Sequence, residues 1–149
     1  MIKVERTLDV GICLDILLNE SIFNAISEDG ATVEHLDIDV IKDYWLKIES
    51  DLEVIGVVQF KSMFNKCYDS HIHILPSHRK HYSIPAGEEI IKWCEENISG
   101  SLLYTNVPAF CENVKMFLLK FGFSERGTLP NAWKKNGEMN DMTILTRGV

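Results

Sequence analysis

His71 and His73 flank Ile72 in the run DSHIHILPSHRKHYSIPAGEE, residues 69–89. Alternation with Ile72 and Ile74 predicts a strand and puts both imidazoles on one face of it. Histidine titrates close to neutrality, so the pair has the chemistry of a general base. The same alternation fits two hydrogen-bonded histidines on a half-solvated sheet face, and both readings stand. Beyond Pro76, His78, Arg79, Lys80 and His81 form the only dense basic run in the chain. A strand, a cationic loop and a helix start, in that order, are an arrangement that holds phosphate. Against it, the run has no glycine before Gly87, and Pro85 has no backbone N–H to offer.

Other reactive side chains are less suggestive. Cys13, Cys67, Cys94 and Cys111 are scattered without a CxxC pair, which fits reduced thiols better than disulfides or zinc. Cys111, near an expected helix start, has no histidine close in sequence and reads as a structural thiol. Asp37, Asp39 and Asp43 lack the spacing and glycine of a calcium loop and read as solvated. Glu88 and Glu89 read as helix-opening carboxylates that suit the positive end of the dipole. Trp45, Trp93 and Trp133 read as core or edge packing.

The elements that must position these residues follow from periodicity. MIKVERTL alternates and predicts a first strand. LDVGICLDILLNESIFNAI has helical spacing with a break near Asn19 to Ser21. DGATVEHLDIDVIKDY is a turn followed by either a short helix or an extended segment. YWLKIES and EVIGVVQFKSMF predict a hairpin turning near Ser50 and Asp51, and CYDSHIHIL a further strand that Pro76 ends. A helix is expected from about Pro85 to Asn97, with Pro in its first turn and Gly100 past its end. SLLYTNV predicts a strand, and PAFCENVKMFLLKFGF a helix starting at Pro108 and stopping at Gly122. The tail predicts two strands about a tight turn at KNGE. The order β-α-α-β-β-β-α-β-α-β-β implies one domain of the α/β (α+β) class, a mixed central sheet flanked by helices.

Composition agrees with that class. The chain has 149 residues, 46% hydrophobic and 25% charged, enough for one core without biased tracts. A net charge of -7 argues against non-specific binding to nucleic acid or an anionic membrane, so an anionic cofactor needs a local basic patch. No apolar run approaches the roughly 20 residues of a membrane span. The first residues lack the apolar core of a signal peptide, which makes a cytoplasmic location the expectation.

Two local motifs in this order carry a family resemblance. LPSHRK resembles a strand-end signature in which Pro76 is followed three residues later by Arg79. NVKMFLLKFGF resembles a penultimate helix ending in a Gly-Phe pair, here Gly122 and Phe123. Over nearly the whole chain the pattern resembles the GNAT superfamily of N-acetyltransferases. The resemblance implies a V-shaped splay between DSHIHIL and SLLYTNV that takes acetyl-CoA or another acyl-CoA. It implies cofactor contacts from Leu75, Arg79, Lys80, Tyr82, Ser83 and Ile84, with Arg79 opening the pyrophosphate loop. It also implies an active site beside the histidine strand, with His73 as the general base and Tyr104 and Thr105 lining the substrate side; Tyr104 reads equally well as a plain strand aromatic.

The chain departs from the family at informative places. Tyr82 and Ile84 stand where the family's loop has glycines, which let backbone N–H groups approach a pyrophosphate. The loop therefore keeps its charge and loses much of its backbone nest. Leu118 stands where many members have a proton-donating Tyr, Cys111 where an Asn is usual, and Asn113 is offset by two.

Three functions are expected from this. The first is an acyl-CoA-dependent N-acyltransferase acting on a small-molecule or protein amine. The second is a catalytically degenerate protein of the same fold acting through a protein partner. Its eroded loop and short length resemble small GNAT-like proteins of tailed bacteriophages, some assigned to head assembly or the virion. The third is a ligand sensor that kept the cleft and lost turnover. Neither nucleic acid nor membrane is an expected partner; a homodimer is a further expectation.

Overall fold

The computed structural model describes residues 1–149. Five elements and one 3₁₀ turn precede the site. Strand β1 (Ile2–Arg6) leads into α1 (Val10–Leu17) and α2 (Glu20–Ile26). Asp9 caps α1 by accepting the N–H groups of Gly11 and Ile12, and Asn19 caps α2 by accepting that of Ile22. The Asn19 cap starts a second helix and so breaks the helical pattern in the expected region near Asn19 to Ser21. The ambiguous segment after α2 holds only one 3₁₀ turn, Val33–His35. Strands β2 (Tyr44–Ser50) and β3 (Glu53–Phe64) form the expected hairpin, closed by Asp51 and Leu52, both at positive φ.

Strand β4 (Cys67–Ile74) then runs directly into α3 (Pro76–Asn97). Strand β5 (Leu102–Pro108), α4 (Glu112–Lys120), β6 (Ser124–Lys135) and β7 (Glu138–Gly148) complete the chain. Two sequence expectations are corrected here. Pro108 ends β5 rather than opening α4. Pro85 lies in the interior of α3, nine residues after its start, so Glu88 and Glu89 are mid-helix. The turn at Asn136–Gly137 has both residues at positive φ, which suits an Asn-Gly hairpin turn.

The sheet order is β1-β2-β3-β4-β5-β7-β6. Every neighbouring pair is antiparallel except β4–β5. One face carries α3 and α4 over a core that includes Leu46, Val58, Phe60, Ile90, Leu103 and Leu145. The other carries α1 and α2 over Cys13, Ile16, Leu17, Ile22, Trp45 and Val57. No helix is long and apolar enough to cross a membrane.

The β6–β7 hairpin is tied back to the end of α2. Lys135 Nζ donates to the carbonyls of Asn24 (2.5 Å) and Ser27 (2.7 Å). The Asp29 carboxylate accepts the N–H groups of Asn136 (2.9 Å) and Gly137 (2.7 Å), which hold its pKa below the usual carboxylate value.

Candidate active site

The parallel pair stays together for only three positions: Cys67 with Leu102, Tyr68 with Leu103, and Asp69 with Tyr104. Beyond them β4 continues to Ile74 and β5 to Pro108 without pairing. This is the V-shaped opening expected between the two strands. On its other side β4 stays paired with β3 up to Gly56 and Ile74. A side chain at Gly56 would strike the carbonyl of His73, so glycine lets β3 approach the end of β4 closely. Leu75 N–H donates to Ile55 O on β3 at 2.8 Å. Strand alternation then turns the N–H and C=O groups of Ile74 and Ile72 towards the opening. Such unpaired strand edges can hold a carbonyl or an amide by hydrogen bonds.

Asp69, His71 and His73 share one face of β4, opposite to Ile72 and Ile74, which face the α3 side. Tyr104, in register with Asp69, stands on the same face of β5 and is half-buried. Nε2 of His71 lies 2.8 Å from Oδ1 of Asp69. The ring N–H is turned off that line, so Oδ1 is buried without an aligned hydrogen bond. The two imidazoles stack, with centroids 6.4 Å apart and planes 8° from parallel. Burial pushes the His73 pKa down to about 3, and the neighbouring His71 and Arg79 push the same way. The half-buried His73 ring, lowered in this way, is held neutral and is a weaker proton acceptor than an ordinary imidazole.

The basic run is not a loop. Leu75 is the N-cap residue of α3 and packs on the α1–α2 core, and Pro76 occupies the first helical turn. Arg79, Lys80, Tyr82, Ser83 and Ile84 all lie in the helix, with their N–H groups inside its frame, so no glycine nest exists for a pyrophosphate. Arg79 Nε donates to Ile74 O at 2.8 Å, which sets its guanidinium at the mouth of the opening. Lys80 is exposed, while Ser83 and Ile84 are half-buried. Tyr82 leans on the larger core, with its ring 5.9 Å from that of His78. The bulk expected to block a loop is instead helix packing. At the start of α3, Pro76 and Ser77 join Asn19, Glu20, Ser21 and Asn24 in lining an open polar groove of about 620 Å³.

Several other residues are settled by burial. Leu118 is buried in the larger core. All four cysteines are free; burial pushes Cys13 up to about 11 and Cys94 up to about 12, and raises Cys111 as well. Asp43, expected in solvent, is 1% exposed: its Oδ1 accepts the N–H of Ser62 at 3.3 Å, and Oδ2 has no partner. Trp45 is fully buried under α1 and α2, and Trp93 stacks on Phe60 at 6.0 Å.

Comparison with known proteins fits this geometry. No protein-family model matches the chain, and no curated protein matches it. Solved structures do. The spermidine N-acetyltransferase of Vibrio cholerae in complex with CoA and spermine superposes with a TM-score of 0.79 at 16% identity, over 98% of this chain and 94% of that one. An N-acetyltransferase from Staphylococcus aureus Mu50 gives 0.73 at 18%, over 99% and 98%. The ribosomal-protein-alanine N-acetyltransferase of Brucella melitensis gives 0.70 at 15%, over 99% of both chains. The chain has the GNAT acetyltransferase fold. At these identities the likeness is one of fold. In this chain α3 starts directly after β4, and Asp69 and His71 meet on the β4 face. Sequence reasoning passed over Asp69, although it continues the same alternation one step before His71.

Proposed function

We propose that the protein is an acyl-CoA-dependent N-acyltransferase acting on a small-molecule or protein amine. The observation that carries this reading is the opening beyond Asp69 and Tyr104, which leaves backbone groups of Ile72 and Ile74 without a strand partner. An acyl-CoA fits there: its amide-bearing arm can take the place of the missing strand, and a backbone N–H can polarise the thioester carbonyl. The relatives in fold act on amines, and one of them is a complex with CoA and spermine.

The charge at the start of α3 supports the same reading. Arg79 and Lys80 stand near the positive end of a helix, where cations oppose the dipole. A pyrophosphate there would offset both. Leu75 would line the acyl arm, and Arg79 and Lys80 would pair with phosphate. Tyr82, Ser83 and Ile84 would contribute through the surface of α3 and not through backbone N–H groups. The bound donor supplies an activated acyl group; the chain supplies its orientation and takes up the amine's proton.

A second reading is favoured by a different observation. The backbone nest is absent, Arg79 is already bonded to Ile74 O, and Leu118 occupies the place of the proton donor. A member of this fold with those features can act through contacts with a protein partner, without turnover. Titration calorimetry with acetyl-CoA separates the two: measurable binding that weakens with salt supports the first, and no binding at millimolar concentration leaves the second.

A further inference from the structure

The proton acceptor in this site is better placed one pleat back than the family resemblance implies. We propose that His71 takes the proton of the acceptor amine and that Asp69 is its positioning residue. The proposal rests on the acyltransferase reading and adds to it the identity of the base.

Three observations carry it. His71 is two residues beyond the last bridge between β4 and β5, so it stands at the start of the opening, on the face it shares with Tyr104. Its side chain is 33% exposed, against 24% for Asp69, so the ring can meet a substrate while the carboxylate is held behind it. Oδ1 of Asp69 is buried without a hydrogen-bond partner and lies 2.8 Å from Nε2 of His71. The lysine opposite Asp69 on β3, Lys61, is drawn away to Asp37 at 3.3 Å. The close approach of Nε2 to a buried carboxylate oxygen, which a small turn of the ring would align, favours the tautomer with hydrogen on Nε2. The lone pair is then on Nδ1, and the carboxylate stabilises the positive ring formed when Nδ1 is protonated. His73 has no carboxylate beside it and has Arg79 nearby.

The chemistry balances without further reactants. The substrate ammonium gives one proton to Nδ1 of His71. The freed nitrogen lone pair forms the N–C bond to the thioester carbonyl carbon. The C–S bond breaks with its electron pair going to sulfur, and the CoA thiolate takes the second nitrogen proton. His71 returns its proton to solvent.

The test uses the full chain and its His71→Gln, His73→Gln and Asp69→Asn variants. Nitrogen-15 NMR of the imidazoles reads the tautomer, calorimetry reads acetyl-CoA binding, and thiol release reads turnover with spermidine as the probe amine. The Nε2–H tautomer of His71 is expected in the unmodified protein and its loss in Asp69→Asn. Turnover is expected to fall roughly 10²–10⁴-fold in His71→Gln, by less in His73→Gln, and with acetyl-CoA affinity unchanged in each. A tautomer that Asp69→Asn leaves as it was, or turnover that His71→Gln leaves as it was, overturns the pair while donor binding still upholds the acyltransferase reading. No binding of acetyl-CoA by the unmodified protein overturns both.

Discussion

Asp69 and Tyr104 face each other across the last bridged position of β4 and β5, and from there the two strands part. The carboxylate and the phenol therefore mark the apex of the opening, on the face that carries the histidines. Tyr104→Phe keeps the ring's packing and removes only the hydroxyl. If that hydroxyl serves the departing thiolate or the amine, turnover should fall by about 10²-fold with little change in acetyl-CoA affinity. Equal turnover in steady-state thiol release would make Tyr104 a packing residue of β5.

Arg79 should matter to the donor and not to the fold. It is exposed, and its one hydrogen bond goes to Ile74 O. Arg79→Ala is expected to weaken CoA binding by about 1–3 kcal/mol, the range of a charge-assisted contact. The melting temperature should stay nearly unchanged. Affinity that is independent of both Arg79 and salt would place the pyrophosphate elsewhere.

His73 gives a pH-dependent stability. Its folded pKa, about 3, lies below the ordinary histidine value of 6.5. Between those values the unfolded chain binds a proton that the folded chain does not, so stability falls as pH drops through this window. The contribution is at most about 1.4 kcal/mol per pH unit. His73→Gln should flatten denaturation midpoints measured between pH 6.5 and 4, and an unchanged slope would mean that the ring titrates freely.

Gly87 tests the packing of α3 on α4. A Cβ there would collide with the ring of Phe121, which packs against Phe117 at a centroid distance of 4.9 Å. Gly87→Ala is expected to destabilise by about 1–3 kcal/mol in urea titration, despite alanine's better helix propensity. A gain in stability would mean that Phe121 turns aside at no cost.

Much of the fold was legible because its signals are local. The helix break near Asn19, the Asn136–Gly137 turn and the alternation of β2 to β5 each act within a few residues. The start of α3 was not legible. Pro76 and Pro85 both suit a first helical turn, and the nearer fit to the family's loop favoured Pro85. The deciding signal was the stripe Tyr82, Ala86, Ile90 and Cys94, spaced by four and packed on one core. It runs straight past Pro85 and compensates for the hydrogen bond that proline removes, a cost of roughly 3 kcal/mol. The site was half legible: alternation placed the histidines on one face, but the burial that lowers His73 and the contact of Asp69 with His71 depend on the neighbouring strands.

That helix also changes what glycine would do at Tyr82 and Ile84. In a loop, the double change to Gly would open a seat for phosphate. In α3 it removes core contact and adds about 1 kcal/mol per glycine in helix propensity. The double variant should lose helicity by circular dichroism and melt earlier. Tighter CoA binding with unchanged stability would show that the basic run is a loop after all.

The most direct test of the central claim is titration calorimetry of the unmodified protein with acetyl-CoA and with free CoA. Saturable binding of both is expected, weakening as salt rises from about 50 to 200 mM through loss of the Arg79 and Lys80 contacts. Absence of heat and of any shift in melting temperature at millimolar acetyl-CoA would contradict the account, leaving an opening between β4 and β5 that no acyl donor enters.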